Sequence, residues 1–172
     1  MIAEPEDLGD APPEAAVTGW FDLPTRLPGP AFWEVVLATE SARCARYHRP
    51  ATIVLAEVVA PRDVGGDWGG VVTQPRAELV ARTLRSGCRG SDYLVRLGEA
   101  RFAVLLAETD EIAAINMVER VRASCGRALR ELAGYPWVAF GWASPVAGQS
   151  LLAAARTAED RLRREAASGG PG

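Results

Sequence analysis

A chain of 172 residues with 48% apolar side chains, 19 basic against 22 acidic groups and a net charge of −3 fits a single globular domain with its own core. This balance excludes a general binder of the nucleic-acid backbone, whose domains are strongly basic. All 19 basic side chains are Arg, which excludes Lys Schiff bases and a P-loop lysine.

Residues 1–17 carry Glu4, Glu6, Asp7, Asp10 and Glu14, three prolines and no basic group. Too little apolar surface is available there to offset ordering entropy, so a disordered acidic arm is predicted. Its acidic start is not a signal-peptide pattern. A helix is predicted from about Pro30 to Tyr47, with Pro30 in its first turn and Pro50 just past its end. Phe32, Val35, Val36, Cys44 and Tyr47 are its expected inner face, and His48 is expected at its end, facing the dipole. Residues 51–60 read as a buried strand, and 61–70, dense in Gly and Asp, as a loop.

A second helix is expected from about Pro75 to Gly87, with Leu79, Val80, Thr83 and Leu84 on one side. Two β-type runs, 93–97 and 102–107, flank turn residues and predict a hairpin. Ile112, Ile115, Val118, Val121, Cys125 and Leu129 recur at helical spacing. Residues 137–143 predict another strand, and Ser150 opens a last helix with Leu151, Ala155, Ala158 and Leu162 inward. Arg161, Arg163 and Arg164 are expected to be mostly solvated. The order αβαββαβα predicts an α/β (α+β) sandwich around a mostly antiparallel sheet and argues against a Rossmann sheet. The domain is expected over 18–166, with a flexible tail at 167–172. Cys44, Cys88 and Cys125 form no CxxC pair and read as small buried hydrophobes of a reducing compartment. No apolar run is long enough to cross a membrane, so a soluble cytoplasmic protein is expected.

One stretch carries more than fold. Arg89-Gly90-Ser91-Asp92 followed by Gly98-Glu99-Ala100-Arg101-Phe102 resembles the RxxD motif and hairpin signature of the GGDEF family, the diguanylate cyclases. Asp22 to Gly29 is similar to that family's opening motif D-x-L-T-G-L-P-N. Leu105 to Asp110 resembles its "LLPETD" strand exit, Glu119 to Arg122 its "AERLR" helix, and residues 154–163, more loosely, its closing "ADxALYxAK" helix. The resemblance spans about residues 20–165 and implies the nucleotidyl-cyclase, palm-like fold.

The same resemblance implies a lost synthase. Such a cyclase holds two divalent ions between carboxylates. The first-strand carboxylate falls on Glu57, a vestigial metal ligand, but its partner falls on Ala100 and the next acid on Arg101. The guanine-reading Asn falls on Gly65 and the adjacent Asp on Gly66. No cofactor is then required, and Mg2+ is not expected to bind. The cluster Gly65 to Gly70 lacks the Gly-Lys-Ser/Thr of a phosphate loop. Asp63 and Asp67 beside Glu57 read as solvated acids before they read as cation ligands.

The family's inhibitory site for cyclic di-GMP, by contrast, implies Arg89, Asp92 and Arg120 as ligand-binding residues. An Arg fork suits guanine O6 and N7, and an Asp accepts from N1–H and N2–H. A surface ion-pair cluster is the plain alternative for these three residues. The expected function is a cyclic di-GMP sensor with an unidentified protein partner, and the family's stacked ligand pair suggests a ligand-bridged homodimer. Two competing readings are a nucleotide-independent scaffold, with Trp68 as an anchor, and a GTP-binding domain with residual chemistry at Glu57. Neither nucleic acid nor membrane is expected as a partner.

Overall fold

The computed structural model describes residues 19–59, 74–130, 136–146 and 148–169. The elements in chain order are β1 (Phe21–Asp22), β2 (Leu27–Pro28), α1 (Pro30–Tyr47), β3 (Ala51–Val59), α2 (Gln74–Gly87), β4 (Tyr93–Arg96), β5 (Arg101–Ala107), α3 (Glu111–Leu129), β6 (Trp137–Ala143) and α4 (Leu151–Ala167).

The helix limits follow local chemistry. Pro30 opens α1, and the helix closes at His48, whose left-handed backbone (φ 52°) lets its N–H donate to the Cys44 carbonyl at 2.9 Å. The Asp110 carboxylate accepts from Ala113 N–H at 2.8 Å, and the Ser150 hydroxyl from Ala153 N–H at 3.3 Å, capping α3 and α4. The four-stranded sheet has the order β4-β5-β3-β6 with every neighbouring pair antiparallel, and β1 pairs with β2 beside it.

Alternation along β3 then builds two cores. Val54, Ala56 and Val58 face α2 and α3 together with Phe102, Val104 and Phe140. Ile53 and Leu55 face the side of α1 and α4, with Leu105, Leu151, Ala158 and Leu162. The predicted order of elements is thus present, as helices on both faces of an antiparallel sheet, with the β1–β2 ladder as an unpredicted addition.

Three expected helix faces differ in detail. On α1 the buried side chains are Trp33, Val36 and Glu40, whereas Val35 and Tyr47 are exposed and Phe32 and Cys44 only half-buried. The stripe at spacings of three and four that meets the sheet starts at Trp33, one residue later than the pattern suggests. On α3, Ala114, Met117, Val118, Val121, Cys125 and Leu129 are inside, while Ile112 and Ile115 are exposed. Ile112 lies about 120° round the helix from Val118 at ~100° per residue, too far to share its face. On α4, Ala154 rather than Ala155 is fully buried. Arg161 is also more than a solvated side chain: it donates to the Trp142 carbonyl at 2.5 Å and pairs with Glu111. The acidic arm, the 61–70 loop and with it Asp63, Gly65, Gly66, Asp67 and Trp68 lie outside the described residues.

Candidate functional site

The Arg89–Asp92 turn joins α2 to β4. Asp92 N–H donates to the Arg89 carbonyl at 3.1 Å, and Asp92 Oδ2 accepts from Arg89 N–H at 2.7 Å, so the aspartate closes the turn that carries both residues. Its other oxygen, Oδ1, is buried and has no hydrogen-bond partner among the described residues. The Arg89 side chain is exposed. Arg120, projecting from α3, donates from Nη2 to the Gly87 carbonyl at 3.3 Å, two positions before Arg89. Arg120 thus reaches the last residue of α2, while Arg89 and Asp92 sit in the turn that follows it.

Two grooves flank this turn. One, of about 410 Å³, is lined by Leu27, Phe32, Arg85, Arg89, Asp92 and Leu94 among others. Arg120 is not in its lining. Burial, reinforced by the Asp92 charge, pushes the Cys88 thiol beside it up to about 12. The other groove, of about 790 Å³, shares Arg89 and contains the buried Glu40. Glu40 accepts from Arg43 Nη1 at 2.8 Å and from the Tyr93 hydroxyl at 3.3 Å. Burial first, and Glu40 second, raise the Tyr93 hydroxyl above its ordinary range.

At the far end of β4 the hairpin turns through Leu97 to Arg101, with Leu97 N–H donating to the Arg101 carbonyl at 2.8 Å. Arg96, which sequence reasoning missed, is only 3% exposed and organises this tip. It donates to the carbonyls of Gly98 (3.0 Å) and Glu99 (2.8 Å), to Gln74 Oε1 (3.0 Å) and to Asp22 Oδ2 (2.9 Å). Asp22 also accepts from the Thr25 backbone N–H at 3.0 Å and from its hydroxyl. Burial pushes the Asp22 carboxyl up, but the bonds from Thr25 and Arg96 outweigh it, so its pKa lies below the ordinary value. The one available signal was a charged residue between Val95 and Leu97 in an otherwise apolar strand.

Ala100 is half-buried against the core, and its carbonyl accepts from Val58 N–H at 2.9 Å. Arg101 lies directly across the ladder from Glu57. Its Nε and Nη2 donate to Glu57 Oε2 at 3.0 and 2.5 Å, and its Nη1 donates to both oxygens of Glu159 at 3.2 Å. Arg163 completes the row through Glu159 Oε1 at 3.0 Å. Partial burial would lower the Arg101 pKa, yet the bond to Glu57 raises it, so the guanidinium is a fixed cation. Among the described residues no three His, Cys, Asp or Glu side chains gather as a metal-ligand group.

Comparison with known proteins matches residues 20–169 to the family described as "Diguanylate cyclase, GGDEF domain". The probable diguanylate cyclase DgcC of Escherichia coli K12 is 32% identical over 89 residues, covering 52% of this chain and 24% of DgcC. The chain thus matches about a quarter of that relative's length. The FimX GGDEF domain of Pseudomonas aeruginosa superposes with a TM-score of 0.77 at 17% identity, over 88% of this chain and 96% of the other. The coiled coil and GGDEF domain of Caulobacter crescentus DgcB, solved with c-di-GMP, gives 0.75 at 17%, over 87% and 81%. Both superpositions show the same fold. No described helix is long and apolar enough to cross a membrane.

Proposed function

This chain belongs to the GGDEF family, and on that premise we propose that it is a cytoplasmic cyclic di-GMP-binding module without cyclase activity, taking its ligand at Arg89, Asp92 and Arg120. The observation that carries this reading is the state of Asp92. One oxygen is spent on the turn, and the other, buried, has no hydrogen-bond partner among the described residues, in the same turn that carries the exposed Arg89. A guanine edge supplies the missing N–H donors, and the Arg fork answers O6 and N7. Arg120, held at the Gly87 carbonyl, adds a second cation toward the two phosphodiester charges. The DgcB domain, of the same fold, was solved with this ligand.

The hairpin tip supports the loss of synthesis. Glu57 has given Oε2 to the Arg101 guanidinium, and Ala100 offers a methyl group where a carboxylate would be needed. Two divalent ions do not fit such a donor set, because Arg101 already supplies the positive charge. Output then passes through a protein partner or a ligand-bridged pair of copies.

Isothermal titration tests the binding half. Micromolar or tighter uptake of cyclic di-GMP is expected for the native chain, and its loss in Arg89→Ala; no heat with the native chain overturns the reading. Incubation with GTP and Mg2+ tests the other half, where accumulation of cyclic di-GMP would refute inactivity.

A further inference from the structure

The groove beside Arg89 lies where the described chain begins. The Trp20 carbonyl accepts from Gly29 N–H at 2.9 Å, and the Trp20 ring, 61% exposed, packs edge-on against Phe32 with centroids 6.3 Å apart. Phe32 lines the groove together with Arg85 and Arg89. Arg85 donates to the Arg26 carbonyl at 3.0 Å, and neither Arg85 nor Arg89 forms an ion pair among the described residues. Residues 1–18 lead into this point. They hold five of the 22 acidic side chains and none of the 19 basic ones, which leaves the rest of the chain net positive by two.

Charge, reach and composition agree on an occupant. Eighteen residues extend to about 60 Å at ~3.3 Å each, far more than a path over an adjacent groove requires. The segment also carries Ile2, Leu8 and Val17 for the apolar floor formed by Leu27, Phe32 and Leu94. We propose that the acidic segment 1–18 lies in this groove, its carboxylates on Arg85 and Arg89, and so competes with an anionic dinucleotide for Arg89. This rests on the cyclic di-GMP reading only for its regulatory consequence; the docking itself stands on charge and geometry. The segment carries several carboxylates at a high effective concentration, whereas the ligand carries two phosphodiesters and must arrive from solution. It therefore acts as a tethered competitor.

The test uses the full chain with its five acids made neutral: Glu4→Gln, Glu6→Gln, Asp7→Asn, Asp10→Asn and Glu14→Gln. Two readouts are compared with the native chain. The first is cyclic di-GMP affinity by titration, expected to tighten roughly threefold to tenfold, since each exposed Arg–carboxylate contact contributes modestly. The second, without ligand, is the set of Arg Nε–H and neighbouring amide NMR shifts, expected to change at Phe32, Arg85, Arg89 and Leu94 in a concentration-independent way. Shift changes spread evenly over the surface arginines, or changes that vanish on dilution, overturn the proposal. So does equal affinity of the two chains combined with unchanged shifts, and that outcome leaves the dinucleotide reading standing. If neither chain binds cyclic di-GMP while the local shifts still change, the dinucleotide reading fails and the docked segment stands.

Discussion

Substituting Arg96→Met removes the charge that ties the hairpin tip to the start of the domain while keeping much of the side chain's volume. The pair it breaks is nearly dry: the Arg96 and Asp22 side chains are 4% and 9% exposed. Loss of one partner leaves Asp22 as a buried carboxylate supported only by Thr25, and also orphans the carbonyls of Gly98 and Glu99. Breaking such a pair costs about 3–5 kcal/mol. At about 2–4 °C per kcal/mol for a domain of this size, the melting temperature should fall by about 6–20 °C. The pH dependence identifies the cause. Because the folded Asp22 pKa is depressed, its contribution is fully present above the unfolded value of ~3.9 and is lost as pH falls through the lower folded value. The gap between native and variant stability should therefore be widest near neutrality and narrow below about pH 4. Calorimetric scans of both proteins from pH 7 to pH 3 measure this. A fall of less than about 2 °C at pH 7, or a gap that does not change with pH, would refute the assignment of Arg96 as the electrostatic tie.

Three further outcomes follow from packing and charge. Gly141→Ala places a Cβ 2.0 Å from the Ala158 carbonyl oxygen and 2.4 Å from Leu162 N, both backbone atoms of α4. Urea unfolding should show a loss of at least ~3 kcal/mol, and an unchanged midpoint would mean that β6 and α4 are not in such close contact. Arg101→Ala leaves Glu57 and Glu159 without their shared cation; with the guanidinium about one-third exposed, the loss is about 1 kcal/mol and should shrink in 1 M salt. A variant as stable as the native chain at low salt contradicts that ledger. Cys88 and Cys125, both pushed up to about 12 by burial, hold ~10⁻⁴ of their thiol as thiolate at pH 8 and should resist a thiol-disulfide reagent until denaturant is added. Three fast equivalents from the folded protein would show that neither is sheltered.

The limits of α1 and the start of α4 were legible because single residues set them: Pro30 and Pro50 around α1, Ser150 before α4. Strand β3 was legible as an apolar run, interrupted only by Thr52 and Glu57, that fills both faces of a central strand. The inward face of α1 was not, because Phe32, Trp33, Val35, Val36 and Leu37 are nearly contiguous and give periodicity little to discriminate. Its one buried charge, Glu40, is satisfied by Arg43 on the same helix and by Tyr93, 53 positions away. The β1–β2 ladder, two residues per strand, is too short for any alternation to show, and it is secured by Asp22 reaching Arg96 across 74 positions. Arg89, Asp92 and Arg120 came from family resemblance. What the sequence concealed was that Asp92 spends one oxygen on its own turn, a feature of backbone geometry rather than residue type.

Strand β4 keeps the Arg89–Asp92 turn and the hairpin tip structurally independent of each other. It is four residues long, about 13 Å at ~3.3 Å per residue. The Arg89–Asp92 turn precedes it, and the Gly98–Arg101 tip follows it. The ladder pairing of Glu57 with Arg101 uses backbone groups, so the strand forms whatever side chains stand at positions 100 and 101. Arg96 keeps the tip folded through carbonyls that any residue would supply at positions 98 and 99. Nothing at the tip is needed to form the Asp92 turn, whose bonds are all local to residues 89–92. Side chains at one end of β4 can therefore change while the guanidinium and carboxylate at the other end stay in place, as the proposed function requires.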